Sequence, residues 1–473
     1  MKNYFYLILS LLLTSCTVGP DYHAPSNQLP SHYSLTKNNV SSPKENREAH
    51  FWYSCTNDPI LIDLIERALH GNNLDIQKSL ANLRQSRAEL SIAKADFFPQ
   101  LDAAGKISRD RLSANSEFLS FIPPGTIPLS YTDYTFGLDA SWEVDLFGHT
   151  RRSVEASRAL FESNLENQRN VAIAVAAEVA SVYTQYRVYQ QQIIITKRTI
   201  GSYAKTAKLV RLQMKAGSAT GVDLDRTESE LLSAKASLPP LQAESKAALA
   251  SLAVLVGEMP ETLFNQLNSI APIPVAHSKI IHVGLPSDLL LRRPDIRIAE
   301  RNLASATANI GVAVANQFPR FQLAGDLGFD TVKPGSYFHN ASTYWSIGPH
   351  VSIPIFEGGR LRNAVKAQEA VRDAALATYK QSVLQALADV ESSLIRYDRE
   401  RSKKQQLRAA YKKLDASLRL IKLQYQSGQS SLLDVLDAER QRNTLQNQYA
   451  QSEGQVMLNL ISLYKALGGD WMS

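Results

Sequence analysis

The residues that could do chemistry cluster in Leu432-Leu433-Asp434-Val435-Leu436-Asp437-Ala438-Glu439-Arg440. In a helix, a spacing of three puts Asp434 and Asp437 on one face, with Arg440 three residues further on. Carboxylates so placed can attract cations, and a guanidinium beside them can lock two surfaces together. Acids in a first helical turn also favour the helix N-terminus by about 0.3–1 kcal/mol each, which needs no site at all. A related stretch earlier in the chain carries Asp223, Asp225 and Arg226. Catalytic patterns are missing. The nine histidines are scattered, and His277 and His282 stand five apart in a Pro-containing segment, which does not put two metal ligands on one helix face. There is no phosphate-binding Gly loop, and no serine sits in a nucleophile elbow. The sequence reads as that of a non-enzyme with no cofactor and no metal.

The elements that hold these residues belong to an exported chain. Lys2 precedes an apolar run, Tyr4–Leu13, too short to span a bilayer and of signal-peptide type. It ends in Leu13-Thr14-Ser15-Cys16, which resembles a bacterial lipoprotein cleavage box. That resemblance implies removal of residues 1–15, lipid on the Cys16 thiol and, with Thr17 following, an outer-membrane destination. The second cysteine, Cys55, then has no intrachain partner, so no disulfide framework is expected. It reads as a small half-buried residue beside Trp52 and Tyr53. The 473 residues are 44% hydrophobic and 20% charged, which excludes wholesale disorder. A net charge of +6, with both signs interspersed, gives no basic patch for nucleic acid. Mean hydropathy is −0.20 and no apolar run reaches about 18 residues, so any membrane passage must be made of strands.

The chain is duplicated. Ile92-Ala93-Lys94-Ala95-Asp96-Phe97-Phe98-Pro99-Gln100-Leu101 returns in the second half as Val312-Ala313-Val314-Ala315-Asn316-Gln317-Phe318-Pro319-Arg320-Phe321. Gln213, Gly217, Asp223, Glu228 and Gly257 return in the same order, at one constant offset, as Gln424, Gly428, Asp434, Glu439 and Gly468. The division expected is a lipid-anchored segment 16–57, a first repeat 58–280 and a second 281–473.

Each repeat opens with a helix, Asp58 to Lys94 and Ser287 to Asn316. Leu83, Ala88 and Ile92 mark its apolar stripe in the first, Leu303, Ala308 and Val312 in the second. Arg293-Pro294-Asp295 is a helix-start signal, and the Phe-Pro pairs are stops. Two alternating strands follow in each. Tyr134, Phe136, Leu138, Ala140, Trp142, Val144 and Leu146 interleave with polar residues, as do Phe321 to Phe329 and the run from Trp345 to Ile355. Leu101 to Ile107 is the weakest case. Lengths of about 10–14 residues suit tilted membrane strands, which need about 9–11. The loops Arg111–Ser130 and Lys333–Ser342 are polar and turn-rich, like loops on an outer face.

Long helical stretches come next, Arg151 to Lys215 and Arg362 to Gln426, each roughly 95 Å at 1.5 Å per residue. A Gly turn reverses each, and a helix returns: Val222–Val256, broken at Pro239-Pro240, and Leu432–Leu467. Because the long helices lead away from the strands, the turns and the Asp434 constellation belong at a far tip.

Four strands cannot close a membrane barrel, and open edges in hydrocarbon leave backbone groups unsatisfied at several kcal/mol each. Other chains must complete them. Two would give a side-chain-filled barrel of eight strands and three a barrel of twelve with a passage, so closure demands an oligomer without fixing its number.

The lipoprotein box with Val18-Gly19-Pro20-Asp21-Tyr22, the stretch Gly284-Leu285-Pro286-Ser287-Asp288-Leu289-Leu290-Leu291-Arg292-Arg293-Pro294-Asp295, the paired Phe-Pro stops and Ile355-Phe356-Glu357-Gly358-Gly359-Arg360 together resemble the TolC-like outer membrane factor family, NodT type, over the whole mature chain. The resemblance implies a mainly α protein with a membrane β-barrel portion. It would be a homotrimer with a twelve-stranded barrel, four strands per chain, continued by a long α-helical barrel across the periplasm. It further implies a periplasmic adaptor (membrane fusion) protein and an inner-membrane pump as partners, outer-membrane lipid as surroundings, and export of drugs or other small toxic molecules. On the same grounds Asp434, Asp437, Arg440 and Asp223 would form a periplasmic aperture. The turns at Gly217, Ser218, Gly428 and Gln429 would touch the adaptor. A channel for type I protein secretion fits the same residues. A non-conducting periplasmic scaffold or adhesin would leave the four alternating strands without a purpose.

Overall fold

The computed structural model describes residues 17–26, 29–30, 32–33, 53, 56, 58–116, 119, 121–123, 125–275 and 286–469. The expected signal peptide, Cys16, Cys55, His277 and His282 lie outside them. Two compact units form. One takes residues from 1–25, 84–163 and 299–378, the other from 26–83, 164–298 and 379–473, so each sequence repeat supplies both units.

The helices are α1 (Pro59–Arg67), α2 (Leu74–Ala95), α3 (His149–Lys215), α4 (Gly221–Ala236), α5 (Leu238–Val256), α6 (Pro260–Gln266), α7 (Leu289–Arg292), α8 (Pro294–Ala315), α9 (Arg360–Gln426) and α10 (Leu432–Ala466). No single helix among the described residues is long and apolar enough to cross a membrane.

The first unit is built on an antiparallel sheet of β1 (Gln100–Arg111), β2 (Ser130–Val144), β3 (Arg320–Thr331) and β4 (Thr343–Ser352), in that spatial order. The repeats join at β2–β3, where Gly137 pairs with Gly328. The alternation read from sequence is the alternation observed. One face carries Asp102, Asp139, Asp326 and Ser346 in a single cross-strand row, and the other carries apolar residues. That apolar face is uncovered: Leu101, Ile107, Trp345 and Ile347 are all exposed. Ile353 and Ile355, expected to continue the last strand, lie beyond its end at Ser352. Pro354, which has no N–H to add to a ladder, sits between them.

The Val18–Tyr22 signature is held against this unit by Arg152, whose side chain is only 4% exposed. Arg152 donates to the carbonyls of Val18 and Gly19 (3.1 and 3.3 Å) and to the Asp21 carboxylate (2.7 Å). A Cβ on Gly19 would lie 2.4 Å from the Gly311 Cα, so the glycine is needed for the close approach.

The second unit holds a core of Leu61, Leu64, Ile65, Val175, Val179, Tyr183, Leu249, Leu252, Leu263, Leu460 and Ile461. The duplication is visible in its ties. Asn73 donates to the Leu255 carbonyl (2.7 Å). Arg293, which stands in the second repeat where Asn73 stands in the first, donates to the Ala466 carbonyl (2.9 Å), and Ala466 is the counterpart of Leu255. Gly257 lies against the Asn72 carbonyl as Gly468 lies against that of Arg292.

Two expectations about the opening helices also need correction. The opening helix of the first repeat is not continuous from Asp58 to Lys94. A wide turn at Ala68–Asn72 interrupts it, with Gly71 at φ +102°, and Asn73 caps the restart by accepting from the N–H groups of Asp75 and Ile76. The second repeat breaks likewise at Arg293, which is extended because Pro294 follows. The stripe of α2 is also turned. Ile92 is 68% exposed and Ala88 exposed, whereas Ile76, Ser79, Ser86, Leu90 and Ala93 are buried. In α8 the expected Leu303 and Ala308 are buried as read.

Candidate functional site

α3 and α9 end in the same way. Gly217 and Gly428 adopt φ +78° and +75°, the left-handed conformation that glycine reaches without a Cβ penalty. The N–H of Ser218 donates to the Gln213 carbonyl and that of Gln429 to the Gln424 carbonyl, both at 2.8 Å. The glycine N–H groups donate to the carbonyls of Met214 (3.0 Å) and Tyr425 (3.1 Å). These paired bonds satisfy carbonyls that a helix end leaves open. Gly217, Ser218, Gly428 and Gln429 are all exposed, and no atom lies within 4 Å of a Cβ built on either glycine. Backbone conformation alone thus selects glycine at these turns.

The return helices start on matching capping boxes. Thr220 accepts from the Asp223 N–H while the Asp223 carboxylate accepts from the Thr220 N–H and hydroxyl. Ser431 and Asp434 repeat the arrangement, with Ser430 donating as well. Hydrogen bonds from Thr220, the backbone one foremost, hold the Asp223 carboxyl below its ordinary range. Those from Ser431, the hydroxyl foremost, do the same for Asp434. Both acids are therefore ionised at neutral pH and occupied by their own helix ends.

Asp437 has different partners. Arg440 Nη2 lies 2.6 Å from its Oδ1, and Gln441 donates to Oδ2 at 2.7 Å. Asp437 and Arg440 share a cavity of about 360 Å3 with Asp225, Arg226, Ser229 and Glu230 of α4. The structure thus gathers Asp437, Arg440, Asp225 and Arg226, with Asp223 and Asp434 engaged at the caps.

Cross-helix ties beneath this cluster escaped the sequence reading. Arg211 pairs with Glu228, and the corresponding residues of the second repeat, Lys422 and Glu439, pair at 2.5 Å. Glu439 is nearly fully buried and also accepts from Ser202 (2.8 Å). Tyr203, Val210, Leu432 and Leu436 pack as a small core beside it, and burial pushes the Tyr203 hydroxyl up to about 12. The repeat already matched Glu228 with Glu439, and extending it to Arg211 and Lys422 would have exposed the pairs. A buried Arg187 gave no such signal. It donates to the Tyr183 hydroxyl (3.0 Å), Gln190 (2.7 Å) and the Ser269 carbonyl (2.8 Å), and Tyr183 passes a hydrogen bond on to Asp58 (2.9 Å). Among the described residues, no group of three or more His, Cys, Asp or Glu side chains converges as a metal site would require.

A duplicated helix–strand–strand–helix chain, with an open four-stranded sheet bearing an uncovered apolar face, defines an outer-membrane channel subunit. The Outer membrane efflux protein family matches residues 64–258 and 285–469, and the chain belongs to that family. It is 30% identical over 462 residues to Nodulation protein T of Rhizobium leguminosarum bv. viciae, covering 98% of this chain and 92% of that protein. It is 30% identical over 475 residues to the Cation efflux system protein CusC of Escherichia coli O6:H1, covering 98% and 97%. Its fold matches the outer-membrane channel OprN with a TM-score of 0.86 at 31% identity, over 96% of this chain and 99% of that one. The open-state MtrE outer membrane channel of Neisseria gonorrhoeae matches with a TM-score of 0.84 at 28% identity, over 96% and 98%. The protein is an efflux channel of the outer membrane, reaching into the periplasm.

Proposed function

We propose that three copies of this chain form a passive exit duct, a homotrimer in which twelve strands close a barrel and the long helices supply the α-helical conduit. The observation that carries this is the four-stranded sheet, in which among the described residues β1 and β4 are unpaired at the edges and one face is apolar. In hydrocarbon those edges must be paired by neighbouring copies. The duct has no catalytic step. It receives drugs or other small toxic molecules from a periplasmic adaptor and an inner-membrane pump, which supply the energy.

Within this reading the repeats 58–280 and 281–473 are copies of one ancestral unit, and Cys16 carries the lipid anchor. The turns at Gly217, Ser218, Gly428 and Gln429 meet the adaptor. Asp434, Asp437, Arg440 and Asp223 ring the periplasmic aperture, where the Arg440–Asp437 pair limits repulsion among converging carboxylates. Planar-bilayer recording tests the duct. Purified wild type, or Arg440→Ala if the wild type rests closed, should give discrete single-channel steps. Protein of intact fold that never conducts in either form would overturn it.

A further inference from the structure

On the polar face of the sheet one residue is placed unlike the others. Tyr344 of β4 pairs in register with Gly328 of β3, which pairs in turn with Gly137 of β2. A Cβ on Gly328 would lie 2.8 Å from the Tyr344 hydroxyl oxygen, and one on Gly137 would lie 2.7 Å from it. The ring therefore crosses β3 and reaches β2, lying down over two adjacent positions that have no side chain. Gly137 and Gly328 are the only buried residues in the four strands, and Tyr344 is what covers them. Cross-strand aromatic cover of strand glycines is a known stabilising arrangement. Tyr344 itself is only half-buried, so part of its ring stays open on the polar side of the sheet.

The surroundings of that open part are chemically defined. Strand alternation puts Asp139, two residues from Gly137, and Asp326 and Asp330, each two residues from Gly328, on the same side as the tyrosine. An aromatic face is negative at its centre and attracts cations, and carboxylates beside it add to that attraction and repel anions. We propose that Tyr344 is a stacking platform for organic cations inside the barrel, selecting bulky positively charged solutes with apolar surface on their way out. This rests on the barrel reading above, in which the polar face is the lumen and three copies put three such platforms at one height. A covering role alone needs only apolar bulk over the glycines. The π face is what recognition adds.

The test is single-channel recording of the wild-type protein in planar bilayers, with tetraphenylphosphonium added on the extracellular side. Concentration-dependent block is expected, and tetraphenylborate, of the same size and opposite charge, should not block. Tyr344→Leu keeps apolar cover but removes the ring, and should raise the half-blocking tetraphenylphosphonium concentration by about fivefold. Tyr344→Phe should stay near wild type. Block by hexaamminecobalt(III), which needs carboxylates and no ring, should not change in Tyr344→Leu. Equal block of Tyr344→Leu and wild type by tetraphenylphosphonium would overturn the platform while leaving the barrel standing. So would equal block of wild type by the two tetraphenyl ions, an arm that needs no variant to fold. Where the wild type rests closed, the same arms are run in the Arg440→Ala background, and folded protein without current steps in either form would remove the barrel reading and this inference together.

Discussion

At the scale of single residues, two acids that look alike in sequence do different things. Asp434 is turned to Ser430 and Ser431, whereas Asp437 is held by Arg440 and Gln441. Replacing Arg440 by alanine frees Asp437 and removes a cation from the cavity it shares with Asp225, so single-channel conductance should rise while assembly is unchanged. Unaltered conductance would place the constriction elsewhere. The caps respond to pH with a definite sign. Because the folded carboxyls of Asp223 and Asp434 titrate below their unfolded value, their contribution is complete above that value, near 3.8, and is lost as pH falls through the lower folded one. Amide exchange at the starts of α4 and α10 should therefore quicken only below about pH 4. Asp434→Ala should show the fast exchange of α10 already at pH 7, and identical exchange in variant and wild type there would exclude a capping role. The cap residues were legible, since a hydroxyl residue three before Asp follows each Gly turn. The Arg187 and Arg293 contacts were not, because their partners are carbonyls and side chains distant in sequence.

At the scale of elements, local patterns placed most boundaries within a few residues. Strand alternation fixes the face but overruns the strand ends at Leu146 and at Ile353–Ile355, and the long Pro-free runs form α3 and α9, each ended by its glycine. The buried face of α2 is hard to read from sequence because it mixes Ile76 and Leu90 with the small Ser79, Ser86 and Ala93, while Ile92 stays outside. Hydrophobicity alone points the other way. The break at Ala68–Asn72 was missed because one glycine within a helical pattern is a weak signal. In sequence Arg293 marks only a helix start. Its guanidinium, mostly buried, binds Asp295 (2.6 Å), Asp389 (3.1 Å) and the Ala466 carbonyl (2.9 Å). Arg293→Ala should lower stability by about 2–3 kcal/mol, below the loss typical of a fully buried pair because both carboxylates are over a third exposed. Thermal unfolding reads this directly, and an unshifted midpoint would deny the clamp. The turns give the second prediction at this scale. A valine at Gly217 or Gly428 must adopt positive φ at a cost of about 1–2 kcal/mol. Such variants should still reach the outer membrane but lose export, and normal export with both replaced would leave the turns as ordinary helix ends.

At the scale of the whole molecule, the repeat was evident from two stretches of matching residues, but the way it is used was not. Each repeat divides its residues between two compact units, so neither is an independent body. Such interleaving follows from pairing β2 with β3, a contact between strands of different repeats that no local pattern announces. The same sheet carries the central claim, because among the described residues β1 and β4 have free edges and nothing covers the apolar face. Palmitate labelling should mark the wild type and not Cys16→Ser, and equal labelling of both would remove the anchor without touching the barrel. The claim itself is tested most directly by native mass measurement of the detergent-solubilised protein. The account predicts a single species of three chains that survives dilution, and a monodisperse, folded monomer would contradict it.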